Sequence, residues 1–170
     1  MPNRPFRIMS HPVIREAAPA DAVALAALMA ELGYPVAPGV LWSRIERMSS
    51  PLHSTLVAEA DGVMAGFVGC SALLIYESDI PTCWIMALSV ASRFRRRGVG
   101  RALLQAVECW CADRGIPDIR LHSGNVRGEA HQFYEACGFK RAGFRFTKSL
   151  PIPNQAPGAS PIADENIAPP

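Results

Sequence analysis

Residues 93–104 read RFRRRGVGRALL, and the order of events around that stretch decides the fold. Upstream, residues 85–90 (IMALSV) form an apolar run of strand length. Downstream, Val99, Ala102, Leu103, Ala106, Val107, Trp110 and Cys111 recur at the i, i+3, i+4, i+7 spacing of an amphipathic helix that runs to about Arg114. A buried strand therefore passes through glycines directly into a helix, as at the joints of layered α/β proteins. The first N–H groups of such a helix lack partners within it, and its aligned peptide dipoles place partial positive charge there. Gly98 and Gly100 carry no Cβ, so an anion can approach the backbone closely. Arg93, Arg95, Arg96, Arg97 and Arg101, a third of the fifteen arginines in the chain, supply permanent charge around the rim. The stretch reads as a seat for phosphate.

The bulk composition neither demands nor opposes that reading. A chain of 170 residues with 49% hydrophobic side chains can bury one core, and it is too short for two ordinary domains with linkers. Net charge is +2, so no nucleic acid or anionic membrane is implied as partner, and the basic character is local. No apolar run reaches the length of a membrane span, and the first residues lack the apolar region of a secretory signal. The expected location is the cytoplasm. Five cysteines without a CxxC pair, and four histidines without ligand spacing, point to reduced packing residues and to no metal site.

Around the central stretch the pattern alternates. Strands are expected at residues 13–17, 55–60, 63–75, 83–90, 118–122 and 139–148, and helices at 20–32, 39–48 and 129–136. Asp61-Gly62 joins two of the strands as a two-residue hairpin turn. Val23, Ala26, Ala27 and Ala30 share one face of the first helix, and Asp21 suits its positive end. Residues 33–35 (GYP) end that helix. The result is one mixed α/β domain over residues 13–148, with a loosely held segment at 1–12. Residues 149–170, with six prolines and no apolar period, form a flexible tail.

Several readings compete for the arginine–glycine turn. A nucleic-acid face would not require glycines at two fixed positions. A P-loop would need Gly-Lys-Ser/Thr, and a dinucleotide fingerprint would need glycine where Leu103 stands. Arg95-Arg96-Arg97-Gly98-Val99-Gly100 instead resembles the Arg/Gln-x-x-Gly-x-Gly/Ala signature of the GNAT superfamily of acetyl-CoA-dependent N-acetyltransferases. Asn125, Ala130 and the run FYEACGF at residues 133–139 resemble a second motif of the same family. The resemblance spans about residues 13–148. It implies a central, mixed, mostly antiparallel sheet flanked by helices and splayed where the cofactor binds. It also implies acetyl-CoA as cofactor, its diphosphate held by the backbone of Arg95, Arg96, Arg97, Gly98, Val99, Gly100 and Arg101 with Ala102. The pantetheine arm would then pair with the strand at Leu88, Ser89 and Val90, near Phe133, with Asn125 a ligand for that arm, a cap for the helix that carries Tyr134, or both. A backbone N–H near Leu88 or Ser89 would face the thioester oxygen.

Acyl transfer from a thioester also requires a proton for the departing sulfur. A phenol with a pKa of about 10 still carries its proton at neutral pH, and by resemblance Tyr134 is that acid. Many family members place a glutamate on the strand before the turn as general base, but residues 83–90 (CWIMALSV) contain no acid. Glu77 and Asp79 in the preceding YESD loop, His122, or solvent are left for that role. By resemblance the acceptor meets Glu31, Tyr34 and Trp84 together with residues 76–79. Acidic and aromatic side chains there suit a small cationic amine such as an aminoglycoside-type antibiotic, which would make the protein a resistance enzyme. The alternatives are a protein N-terminus or lysine as acceptor, a non-catalytic acyl-CoA sensor, and a nucleic-acid binder. The family often pairs through its late strands, so a homodimer fits as well.

Overall fold

The computed structural model describes residues 11–124, 128–143, 146–148 and 150. They divide into two compact units between Leu121 and His122. In the first unit β1 (Val13–Glu16), β2 (His53–Ala60), β3 (Val63–Ile75), β4 (Ser78–Val90) and β5 (Ile119–Leu121) form one open sheet in chain order. The pairings are antiparallel as far as β4, and β4 pairs parallel with β5. A parallel pair needs a crossover, which is supplied by α3 (Val99–Ala112). Two further helices, α1 (Ala22–Leu32) and α2 (Pro38–Met48), separate β1 from β2. The second unit holds α4 (Gly128–Ala136). The first unit is a mixed, mostly antiparallel sheet flanked by helices, as the motifs imply.

Local chemistry sets the joints. Asp61 and Gly62 both take positive φ, 55° and 74°, as the tight hairpin between β2 and β3 requires. Gly33, at φ 100°, ends α1, and Pro38 opens α2, where a missing N–H costs no hydrogen bond. The expected helix from residue 20 begins as a short 3-10 turn, Pro19–Asp21. Asp21 does more there than answer the helix dipole. Its carboxylate accepts the Ala18 N–H at 2.7 Å and receives Arg15 through two hydrogen bonds of 2.7 and 2.8 Å. Arg15 also donates to Glu59 at 2.9 Å, which ties β1, β2 and the entry to α1 together.

The sheet places α1 and α3 on opposite faces. Ser89 of β4 donates its hydroxyl to Leu28 O of α1 at 3.1 Å, and its cross-strand partner Phe67 lies on that same face. Gly66, one residue earlier, faces the other way, toward Leu103 of α3. Leu25 and Leu28 fill the α1 side of the core, and Val99, Leu103, Leu104, Val107, Trp110 and Cys111 fill the α3 side. The α3 face expected from periodicity is thus the buried one. For α1 the expected face is not: of Val23, Ala26, Ala27 and Ala30 only Ala26 is buried, and Val23 is 71% exposed. The helix AVALAALMAEL is apolar on nearly every side, so its pattern carries no phase, and the larger leucines claim the core.

Two other expectations need correction. The YESD segment is not a loop: Tyr76 and Glu77 form a two-residue turn, and Asp79 already belongs to β4, which is five residues longer than residues 83–90. Ser78 pairs with Ile75 and Thr82 with Leu73, so the hairpin arm extends past the end of β5. Pro81 is tolerated in the arm because β5 reaches only Cys83–Ile85. The expected strand at residues 139–148 does not form among the described residues 139–143 and 146–148. Gly143 turns there to φ 73°, which interrupts an extended run. The expected tail at residues 149–170 lies, apart from residue 150, outside the described residues.

Candidate active site

The turn between β4 and α3 starts with a one-turn 3-10 segment, Ser92–Phe94. Phe94 is buried, and the guanidinium carbons of Arg93 and Arg97 lie 5.0 and 5.6 Å from its ring centroid. One side chain thus pins a segment whose arginines otherwise face solvent. Arg96 takes φ 59° and Gly98 φ 81°, so the chain reverses within four residues before α3 begins. The first helical hydrogen bond is Ala102 N to Gly98 O at 3.0 Å. Val99, Gly100 and Arg101 therefore lie in the first turn of a fourteen-residue helix, where N–H groups are left over for an anion. Gly98 caps that helix without a side-chain hydrogen bond, and a Cβ built on it would meet nothing within 4 Å. An open, positively charged helix start of this kind fits a diphosphate.

Beside the turn, β4 offers a second feature. Its pairing with β5 stops at Ile85 opposite Leu121, while its pairing with β3 continues to Val90. Residues 86–90, which include Leu88, Ser89 and Val90, therefore have no strand on that side among the described residues. Extended backbone in this state can accept another strand-like partner, and the amides of a pantetheine arm are one. The register of β4 also slips where it parts from β5: Ala87 pairs with Gly69 and Ile85 with Cys70, which leaves Met86 as an extra residue. Met86 is 62% exposed in a strand whose neighbouring Ile85 and Ser89 are buried. A continuous apolar run such as residues 85–90 has no alternation to break, so the sequence does not mark an inserted residue.

The other expected residues are distributed as follows. Trp84 is half-buried on β4, paired with Ser71 of β3 and Arg120 of β5. Glu77 and Asp79 are exposed at the tip of the β3–β4 arm beside the fully exposed Tyr76. Tyr34 follows α1 and is exposed, its N–H bonded to Met29 O at 2.9 Å. Glu31, at the last turn of α1, points to the arginine turn: its Oε2 accepts the Ser92 N–H at 2.9 Å and the Ser92 hydroxyl at 2.8 Å, and Arg95 Nη2 lies 3.6 Å away. The Ser92 hydroxyl and N–H hold the Glu31 carboxyl below the usual carboxylate range. Ser89 contributes its side chain to the α1 contact, and its backbone pairs with Phe67 of β3.

In the second unit Tyr134 is half-buried on α4, with ring centroids of Phe133 and Phe139 at 5.3 and 5.8 Å. The end of α4 is closed by Gly138 at φ 89° and by Phe139 N to Tyr134 O at 3.0 Å. The FYEACGF motif is thereby a helix and its glycine stop. His122 is exposed, and Asn125 lies outside the described residues. A cavity of about 200 Å³ between α2 and the ends of β1 and β2 is lined by Glu16, Trp42, Glu46, His53 and Thr55 among others, and by none of the expected site residues. The cysteines are free, with Cys70, Cys83 and Cys111 buried against one another between sheet and α3. No described helix is long and apolar enough to cross a membrane.

Residues 24–139 match the model of the acetyltransferase (GNAT) family. The chain is 33% identical over 137 residues to an aminoglycoside N(6')-acetyltransferase type 1 of Stenotrophomonas maltophilia, covering 78% of this chain and 89% of that one. It is 30% identical over 110 residues to N-acetyltransferase family 8 member 2 of Rattus norvegicus, covering 56% of this chain and 49% of that one. Among solved structures it is similar to AAC(6')-Iy in complex with a CoA bisubstrate analogue. That match has a TM-score of 0.71 and 23% identity, and it covers 84% of this chain and all of the other.

Proposed function

Since the chain belongs to the acetyltransferase (GNAT) family and is an acyltransferase that uses acetyl-CoA, we propose that it acetylates a primary amine of a small cationic acceptor, with an aminoglycoside-type antibiotic the leading candidate. The observation that carries the choice of acceptor is the similarity to the Stenotrophomonas enzyme along 89% of that protein's length. The exposed Tyr76, Glu77 and Asp79 at the tip of the β3–β4 arm support it, because carboxylates and an aromatic face suit ammonium groups. The exposed Leu73, Leu74 and Ile80 on the same arm favour a second reading, in which the amine belongs to a protein N-terminus or lysine and the arm grips flanking apolar residues.

In this proposal acetyl-CoA supplies the activated acyl group, and the protein's residues bind, orient and handle protons. The backbone and arginines of residues 95–101 hold the diphosphate, and the free edge of β4 aligns the pantetheine arm. A backbone N–H at Leu88 or Ser89 faces the carbonyl oxygen. Tyr134 holds a proton at Oη for the departing sulfur. No carboxylate lies on β4 beyond Asp79, so the acceptor amine arrives neutral or gives its proton to Glu77, Asp79, His122 or water. The protein acts in the cytoplasm, where acetylation of an aminoglycoside would protect the cell.

The test is an acceptor screen with detection of the free thiol released from acetyl-CoA. Turnover with aminoglycosides, and a raised KM in Glu77→Gln and Asp79→Asn with cofactor binding intact, is the expected result. Turnover with peptides alone would replace the first reading by the second. Cofactor binding without thiol release across the whole panel would leave a sensor.

A further inference from the structure

We propose that Glu31 is a positioning residue that locks the arginine–glycine turn to the end of α1 and thereby sets the affinity of that turn for a diphosphate. The proposal rests on the reading of residues 95–101 as the cofactor turn. Glu31 lies 61 positions from Ser92 in sequence, yet its Oε2 receives both the N–H and the hydroxyl of Ser92, at 2.9 and 2.8 Å. Arg95 Nη2 stands 3.6 Å from the same oxygen, while Arg95 Nε donates to Val90 O at 3.1 Å. Three residues earlier on α1, Leu28 O accepts the hydroxyl of Ser89 at 3.1 Å. Residues 28 and 31 lie one turn apart on the same side of the helix. α1 is therefore fixed to the cofactor strand at one point and to the start of the turn at the next.

These contacts sort the arginines by task. Arg93 and Arg97 lie over the buried Phe94, Arg95 bridges Val90 and Glu31, and Arg96 and Arg101 extend from the exposed side of the turn. A turn held at Ser92, Phe94 and Arg95 before the ligand arrives has less ordering entropy left to lose on binding. Electrostatics makes the opposite demand, because a carboxylate beside an anion site repels the anion. The two roles therefore predict opposite signs. If Glu31 acted only through its charge, its removal would tighten cofactor binding; if it holds the turn, its removal loosens binding. Glutamine separates the two contributions, since its amide oxygen can accept the Ser92 hydrogen bonds without the charge.

The experiment measures calorimetric dissociation constants of the full chain for CoA and for pantetheine, which lacks the diphosphate and nucleotide. Glu31→Ala is expected to weaken CoA about tenfold, the scale of a lost hydrogen bond to a charged group. It should leave pantetheine unchanged, and Glu31→Gln should stay within about threefold of wild type for both. Wild-type or tighter CoA binding in Glu31→Ala would overturn the proposal. So would an equal loss for CoA and pantetheine, the mark of general loosening. A wild-type protein that binds CoA no better than pantetheine would overturn the cofactor-turn reading on which the proposal stands.

Discussion

Gly66→Ala tests how closely the site depends on the packing beneath it. A Cβ on Gly66 would lie 2.7 Å from Ser89 O, 3.3 Å from Val90 Cα and 3.2 Å from Leu103 Cδ1. Ordinary contact begins near 3.4 Å, so the Ser89 carbonyl must retreat by about 0.7 Å. Leucine can turn its methyl group away. The obstacle on β4 is backbone, and it is held in place by the Phe67–Ser89 pairing and by the Ser89–Leu28 hydrogen bond. Inserting atoms into a packed interior of this kind costs about 1–3 kcal/mol. For a chain of this size each kcal/mol lowers Tm by about 2–4 °C, so a fall of roughly 2–12 °C is expected. The displaced segment is also the proposed pantetheine edge, so CoA should raise Tm less in the variant than in wild type at equal dose. Thermal denaturation followed by circular dichroism, with and without CoA, measures both effects. A Tm within 1 °C of wild type, or an undiminished CoA shift in a clearly destabilised protein, would refute the packing argument in its first or second step.

Tyr134→Phe keeps a ring against Phe133 and Phe139, so melting and CoA affinity should hold while single-turnover acetyl transfer falls about 10²–10⁴-fold; an unchanged rate would return Tyr134 to a packing role. Asp21, whose carboxyl Arg15 holds below its ordinary pKa of 3.8, contributes stability above that pH and loses it as pH falls through the lower folded value. Asp21→Asn should therefore reduce Tm at pH 7 and flatten its acid limb, and parallel acid limbs in the two proteins would count against the ion pair. Burial pushes the Cys111 thiol up to about 12, whereas Cys109 is exposed. Alkylation of native protein at pH 8, mapped by mass spectrometry, should mark Cys109 and spare Cys111, and equal labelling would contradict the packing of α3. Met86→Glu places a carboxylate at the exposed bulge of β4, and kcat/KM should then rise at pH values below the acceptor amine's pKa; an identical pH profile would place Met86 away from the acceptor.

What the sequence determined alone is what short-range chemistry encodes. The arginine–glycine turn, the buried face of α3 and the Asp61-Gly62 hairpin depend on residues within a few positions of each other, and periodicity or turn preference makes each legible. Tertiary structure decided the rest. The phase of α1 could not be read because nearly all its faces are apolar, and it was settled by which leucines met the sheet. Met86 became an exposed bulge only through the registers of β3 and β4, a relation between strands that neither strand carries by itself. Family resemblance assigns Glu31 to the acceptor side, and the structure adds a contact the sequence does not show, from its carboxylate to Ser92, 61 residues away. A hydrogen bond across that separation leaves no trace in local composition, because it exists only after the sheet has brought the end of β4 beneath the last turn of α1.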